Sequence, residues 1–85
     1  MIVFQHTIAD PLGIHARPAA MLVKEASVFR SSVCIRFGDK EISAKRMIAL
    51  MGLGLKHSDR VEICIEGEDE QQAAESIQVF LTKHL

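Results

Sequence analysis

Tryptophan and tyrosine are absent from this 85-residue chain, and four phenylalanines, Phe4, Phe29, Phe37 and Phe80, are its whole aromatic complement. Single-stranded RNA is read largely by stacking bases on aromatic side chains, so a small αβ RNA-binding module is disfavoured. No charge of one sign dominates either: ten Lys and Arg stand against eleven Asp and Glu, for a net charge of −1. A nucleic-acid binder shows a basic domain or stripe, and this balance argues against one. Long apolar runs are missing, and none approaches the roughly 20 residues of a bilayer-spanning helix. Residues 1–10 lack the basic start and long apolar stretch of a secretion signal, so a cytoplasmic protein is expected, without membrane insertion. Two cysteines occur, Cys34 and Cys64. Their separation matches neither a zinc motif nor a CxxC pair, and in a reducing compartment they read as free thiols.

What is present is a globular composition, 48% hydrophobic and 25% charged. A chain of this length makes one domain, 1–85, with one thin core. Ile2 to Ala9 alternate apolar and polar as a first strand, with Ile2, Phe4 and Ile8 facing inward. Asp10-Pro11-Leu12-Gly13 reads as a loop. A helix follows from about Ala16 to Ser27, where Ala19, Leu22, Val23 and Ala26 share one face. Val33, Ile35 and Phe37 mark a second strand, Gly38-Asp39 a two-residue hairpin turn, and Lys40 to Ser43 a third strand. A short helix from about Arg46 to Leu53 ends at Gly54. Val61, Ile63 and Ile65 mark a fourth strand, and Asp69 or Glu70 opens a last helix that buries Ala73, Ile77, Phe80 and Leu81. The order βαββαβα, with strands apolar on one face, predicts an α+β fold: an antiparallel sheet with helices on one side.

The segment Gly13-Ile14-His15-Ala16-Arg17-Pro18-Ala19-Ala20 sits where the first loop becomes a helix. The first N–H groups of a helix lack intrahelical partners, and with the macrodipole they form an anion site. Pro18 has no N–H to waste there, while the amides of Ala16 and Arg17 stay free to face a ligand. His15 falls at or beside the N-cap. A neutral imidazole is a nucleophile able to form a covalent intermediate, and a phosphoryl group on it would meet those amides and the Arg17 guanidinium, whose planar fork matches phosphate oxygens. Ala16, Ala19 and Ala20 are small enough for a partner's active site to approach. An isolated histidine before a helix is usually a surface or capping residue. Here Gly, His, Arg and Pro together favour the phosphoryl reading. A metal site on His15 is set aside, because the i+3 and i+4 places hold Pro18 and Ala19.

The run GIHARPA resembles the active-site signature of the HPr family, the phosphocarriers of the bacterial phosphotransferase system. The resemblance runs along essentially the whole chain, including KRMIALMGLGL at Lys45 to Leu55 and GEDE at Gly67 to Glu70. It implies an open-faced β-sandwich of four antiparallel strands and three helices. It also implies a carrier rather than an enzyme with its own substrate, and no cofactor. The carrier takes phosphate from phospho-enzyme I on the histidine that is here His15 and gives it to enzyme II A domains, with Arg17 assisting. By the same resemblance the partners dock on the faces of the first two helices. Ala20, Met21 and Lys24 lie there beside Arg17, with Met47, Ile48 and Met51 in the second helix. Methionine adapts to differing partner shapes, and the lesser alternative is that Met47 or Met51 fills gaps in the core. Lys24, Lys45 and Arg46 form a basic rim for an acidic partner, or an ordinary solvated surface. A monomer is expected.

One position departs from the family. Many Gram-positive members open the second helix with a serine that a dedicated kinase phosphorylates, and Arg46 stands there. That switch is then absent. Arginine cannot cap a helix, and its charge at an N-terminus is unfavourable by a few tenths of a kcal/mol, so a partner contact is the better account of it. Ser43 could supply a substitute cap or a phosphosite. The departure leaves open an alternative function, a regulatory module signalling through phospho-His15 to a regulator or kinase. The resemblance also sets the second and fourth strands side by side and antiparallel. A register that opposes Cys34 to Cys64 also opposes Arg36 to Glu62, a favourable charge match, and puts both thiols on the open face within possible disulfide reach. His6, His57 and His84 read as surface histidines.

Overall fold

A computed structural model describes residues 1–85. The chain runs β1 (Ile2–Thr7), α1 (Ala16–Ser27), β2 (Ser32–Phe37), β3 (Lys40–Ser43), α2 (Met47–Gly52), β4 (Arg60–Glu66) and α3 (Glu70–His84). The strands form one antiparallel sheet in the order β1-β4-β2-β3. Because strand side chains alternate between faces, Val33, Ile35, Val61, Ile63 and Ile65 all point to one side, where Ala19, Leu22, Ala26, Leu50, Ala73, Ile77, Phe80 and Leu81 of the helices close over them. Each large apolar side chain buried there contributes roughly 1.5–3 kcal/mol. The order βαββαβα and the helix-covered antiparallel sheet are those expected from the sequence.

Two boundaries differ. β1 stops at Thr7 rather than Ala9. Beyond it, Ile8 donates its N–H to Asp59 O at 2.8 Å and accepts one from Ser58 at 2.7 Å, and Ser58 itself is left-handed (φ 76°). The regular ladder therefore cannot continue. α2 begins at Met47 with Arg46 as N-cap residue, and the N–H of the left-handed Gly54 closes its end on Met51 O at 3.2 Å. Gly38, also left-handed, sits at the first position of the β2–β3 turn, as the hairpin reading required.

His6 is not a surface residue. It follows Ile2 and Phe4 on the inward face of β1, and its Nε2 is buried without a hydrogen-bond partner. Leaving such a group unmatched costs about 1–3 kcal/mol. Its even-numbered place in the strand was the signal, and the polar residue type obscured it. His57 and His84 are exposed as expected. Nδ1 of His57 lies 3.2 Å from Ala9 O, and His84 packs on Phe80 with ring centroids 4.7 Å apart.

The β2–β4 register opposes Cys34 to Cys64 and Arg36 to Glu62, and the Arg36 guanidinium reaches Glu62 at 3.0 Å. It also pairs with Glu41 across β3. Ala44 N–H donates to Val33 O at 2.8 Å, so Val33 turns its backbone groups to β3 and Cys34 turns its own to β4. Cys34 and Cys64 are thus a hydrogen-bonded cross-strand pair, with Cα atoms about 5.5 Å apart. Both thiols are free. Cys64 lies buried although it faces the open side, and burial pushes its thiol pKa up. Cys34 is half-buried. The thiolate is the reacting form, so iodoacetamide should modify native protein first at Cys34 and clearly later at Cys64. Peptide mapping over time checks this, and equal rates at the two sites would contradict it.

A second brace joins the start of β2 to the start of α3. Asp69 accepts hydrogen bonds from Ser31 Oγ at 2.5 Å, Ser31 N at 2.9 Å and Arg30 N at 2.9 Å. The Ser31 hydroxyl foremost, then the Arg30 amide, hold its carboxyl pKa down at about 2. A carboxylate depressed on folding stabilises the fold above its unfolded pKa, and that contribution disappears as pH falls through the folded value. The brace should therefore be intact at about pH 4 and lost near about pH 2. In urea titrations, Asp69→Asn should be less stable than wild type at neutral pH, and the gap should narrow across that window. A gap that stays constant with pH would show that the charge of Asp69 is not what holds the two segments.

Candidate functional site

The loop before α1 is built from Asp10. Its Oδ1 accepts the Leu12 N–H at 2.8 Å and its carbonyl accepts the Gly13 N–H at 2.9 Å, an Asx turn. The N–H groups of Ala9 and Asp10 donate to Leu85 O at 2.5 and 3.3 Å, tying the loop to the end of α3. Gly13 is left-handed at φ +69°, and a Cβ there would stand 2.3 Å from Leu55 O and 2.7 Å from Lys56 Cα. Ile14 is buried and donates its N–H to the same Leu55 carbonyl at 3.0 Å. The chain thus reaches His15 from a position fixed against the segment that follows α2.

His15 is the N-cap residue of α1, with extended backbone (φ −129°, ψ 177°), and its carbonyl accepts the Ala19 N–H at 3.0 Å. Its imidazole makes no capping hydrogen bond and its side chain is 42% exposed. The N–H groups of Ala16 and Arg17 have no partner within the chain, as the helix-start argument requires. Pro18 is buried beneath them and Arg17 is exposed. His15 Nε2 lies 3.8 Å from Asp10 Oδ2. That is too long for a hydrogen bond but within ion-pair reach once the ring is protonated. Asp10 is outside the set of site residues expected from the sequence. Its signal, an Asp two residues before the amide it caps, was present in the loop.

The expected docking residues lie where the two helices meet the solvent. Ala20, Met21 and Lys24 are exposed on α1, and Ile48 and Met51 on α2, with Ile48 88% exposed. Met47 is half-buried and packs on the core, so the two methionines divide the two roles. Ala19 is fully buried and serves packing rather than an approaching partner, unlike the exposed Ala16 and Ala20. Lys45 is half-buried and donates its ammonium to Phe29 O at 2.8 Å. It joins the end of α1 to the β3–α2 connection, leaving Lys24 and Arg46 as the exposed cations of the rim. Ser43 does not cap α2: its Oγ accepts the Lys45 N–H at 3.2 Å, ahead of the helix, and Arg46 makes no capping bond.

Residues 2–83 match the family model described as the PTS HPr component phosphorylation site. The chain belongs to the HPr family. It is similar to the phosphocarrier protein HPr of Lysinibacillus sphaericus, with 44% identity over 79 residues, covering 93% of this chain and 90% of that one. Among solved structures it is similar to a mycoplasma histidine-containing phosphocarrier protein, with a TM-score of 0.93 at 33% identity, covering 96% of this chain and 93% of that one. HPr of Thermoanaerobacter tengcongensis also gives a TM-score of 0.93, at 31% identity, covering 98% of this chain and 93% of that one. The open-faced sheet with three helices is therefore an HPr fold. No helix is long and apolar enough to cross a membrane.

Proposed function

We propose that this HPr chain carries a phosphoryl group on His15, accepting it from phospho-enzyme I and passing it to enzyme II A domains in phosphoenolpyruvate-dependent sugar uptake. The observation that supports this most is that a half-exposed imidazole, free of any capping bond, stands at the N-cap of a helix whose Ala16 and Arg17 amides are unpartnered. Phosphoryl transfer depends on positioning and on stabilising charge at the equatorial oxygens. The two amides, the α1 dipole and the Arg17 guanidinium supply that stabilisation from one side. Arg17, exposed and free of any ion pair, can turn to the phosphoryl oxygens at no cost in lost contacts. Docking of donor and acceptor in turn falls to Ala20, Met21, Lys24, Arg46, Ile48 and Met51, with Met47 and Lys45 holding this surface from beneath.

The test is incubation with enzyme I and phosphoenolpyruvate, read by intact mass, followed by addition of an enzyme II A domain. One acid-labile phosphoryl gain that then moves to the A domain supports the carrier. A regulatory module, the reading that Arg46 favours, would load on His15 but fail the second step. No gain on folded protein, with an enzyme I from the same organism, would overturn both.

A further inference from the structure

We propose that Asp10 is a positioning residue that keeps one proton on His15 Nε2 through both halves of the phosphoryl cycle, directing Nδ1 to phosphorus. The proposal rests on the carrier reading of His15. Asp10 Oδ2 stands 3.8 Å from Nε2, on a carboxylate whose other oxygen is already held by the Leu12 amide at 2.8 Å. The backbone of Asp10 is held as well, by Gly13 on one side and Leu85 on the other. The carboxylate is thus fixed in place before the chemistry, and Nε2 has to close only about 1 Å to reach hydrogen-bond range. Catalytic contacts that are long at rest commonly tighten in the reacting complex.

The proton has a chemical consequence. In the resting ring it sits on Nε2, and the lone pair of Nδ1 is the nucleophile. When Nδ1 bonds to phosphorus and the donor takes back the electron pair of the broken bond, the ring becomes a cation that keeps its Nε2–H. Asp10 then faces a full positive charge, a charge-assisted pair. When the acceptor's nucleophile takes the phosphoryl, the electrons of the Nδ1–P bond return to Nδ1, and the ring leaves as neutral imidazole with the same proton in place. Without that proton the leaving group would be an imidazolate, which is far more basic and a much poorer one. Asp10 therefore does for Nε2 what the amides of α1 do for the phosphoryl oxygens.

Phosphoramidate loads histidine without any protein donor, so the proposal can be tested whether or not enzyme I serves this chain. Asp10→Asn keeps an oxygen for the Leu12 amide and removes the charge, and Asp10→Glu restores a carboxylate on a longer arm. In the wild type, 15N NMR of the loaded protein should show phosphorus on Nδ1 and a protonated Nε2. In Asp10→Asn the Nε2 proton signal should weaken, and loading by phosphoramidate should slow on the order of tenfold, because the carboxylate faces a ring whose positive charge develops as Nδ1 bonds to phosphorus. Asp10→Glu should recover part of both. A loaded Asp10→Asn with an unchanged Nε2 signal and unchanged rate would overturn the proposal while leaving the carrier reading intact. So would phosphorus on Nε2 in the wild type. Failure of enzyme I to load a protein that phosphoramidate loads would count against the carrier reading alone.

Discussion

His15→Ala should lose all phosphorylation by enzyme I and phosphoenolpyruvate while keeping its fold. The imidazole is half-exposed and makes no capping bond, and the one hydrogen bond tying His15 to α1 comes from its backbone carbonyl. Removing the ring should therefore change stability by no more than about 0.5 kcal/mol, the range for surface positions. Intact mass after the reaction reads the first claim and urea unfolding the second. The pairing of results is informative. Loss of the phosphoryl gain at unchanged stability places the chemistry on the ring. A gain that survives the substitution would put the acceptor elsewhere and remove the basis for reading the α1 start as a phosphoryl site.

Gly13→Ala should be the reverse case, damaging the site by damaging the fold. A side chain at φ +69° costs about 1–3 kcal/mol, and the new Cβ would press on backbone atoms, Leu55 O at 2.3 Å and Lys56 Cα at 2.7 Å. Neither is the end of a flexible side chain, so the two segments must separate, at a further cost of about 1–3 kcal/mol. A loss of about 3 kcal/mol is expected in denaturant unfolding. Phosphorylation should slow as well, because Ile14 shares the Leu55 carbonyl and leads directly into His15. A variant as stable as wild type would show that the loop relaxes without the Leu55 contact. Gly54→Ala is the control. Gly54 is also left-handed, but nothing lies within 4 Å of its missing Cβ, so it carries the backbone cost alone.

The parts of this molecule that sequence reading reached are those governed by periodicity and by helix-end chemistry. The span of α1, the Gly38-Asp39 turn and the inward faces of β2 and β4 follow from spacing that the physics of strands and helices enforces. The unpartnered amides at Ala16 and Arg17 follow from the start of a helix. The opposition of Cys34 to Cys64 came from the family resemblance, and Arg36 and Glu62 made it chemically sensible. Three things escaped. His6 obeys the alternation of its strand but has the wrong polarity for a core position. Lys45 was read by its charge, yet its ammonium is used on the Phe29 carbonyl, a contact between distant segments that no local pattern announces. Asp10 was read as loop punctuation, and its place beside His15 depends on how Gly13 folds against Leu55 and Lys56. Each miss involves a polar group whose surroundings are set by the folded chain rather than by its neighbours' pattern.

The strand order has a consequence for how the protein comes into being. β4 is central, with β1 on one side and β2 on the other, yet it is the last strand to leave the ribosome. Ile2 must wait for Ile65, and Val33 for the same residue. Until then the β2–β3 hairpin is the only part of the sheet that can form, and an isolated hairpin is marginal in water. α1 and its histidine are synthesised early but have no sheet to pack against, and pairing over such long separations is slow. The nascent chain therefore exposes its apolar faces until β4 emerges. The turn that presents His15 at the start of α1 gains the sheet it packs on only once β4 has emerged.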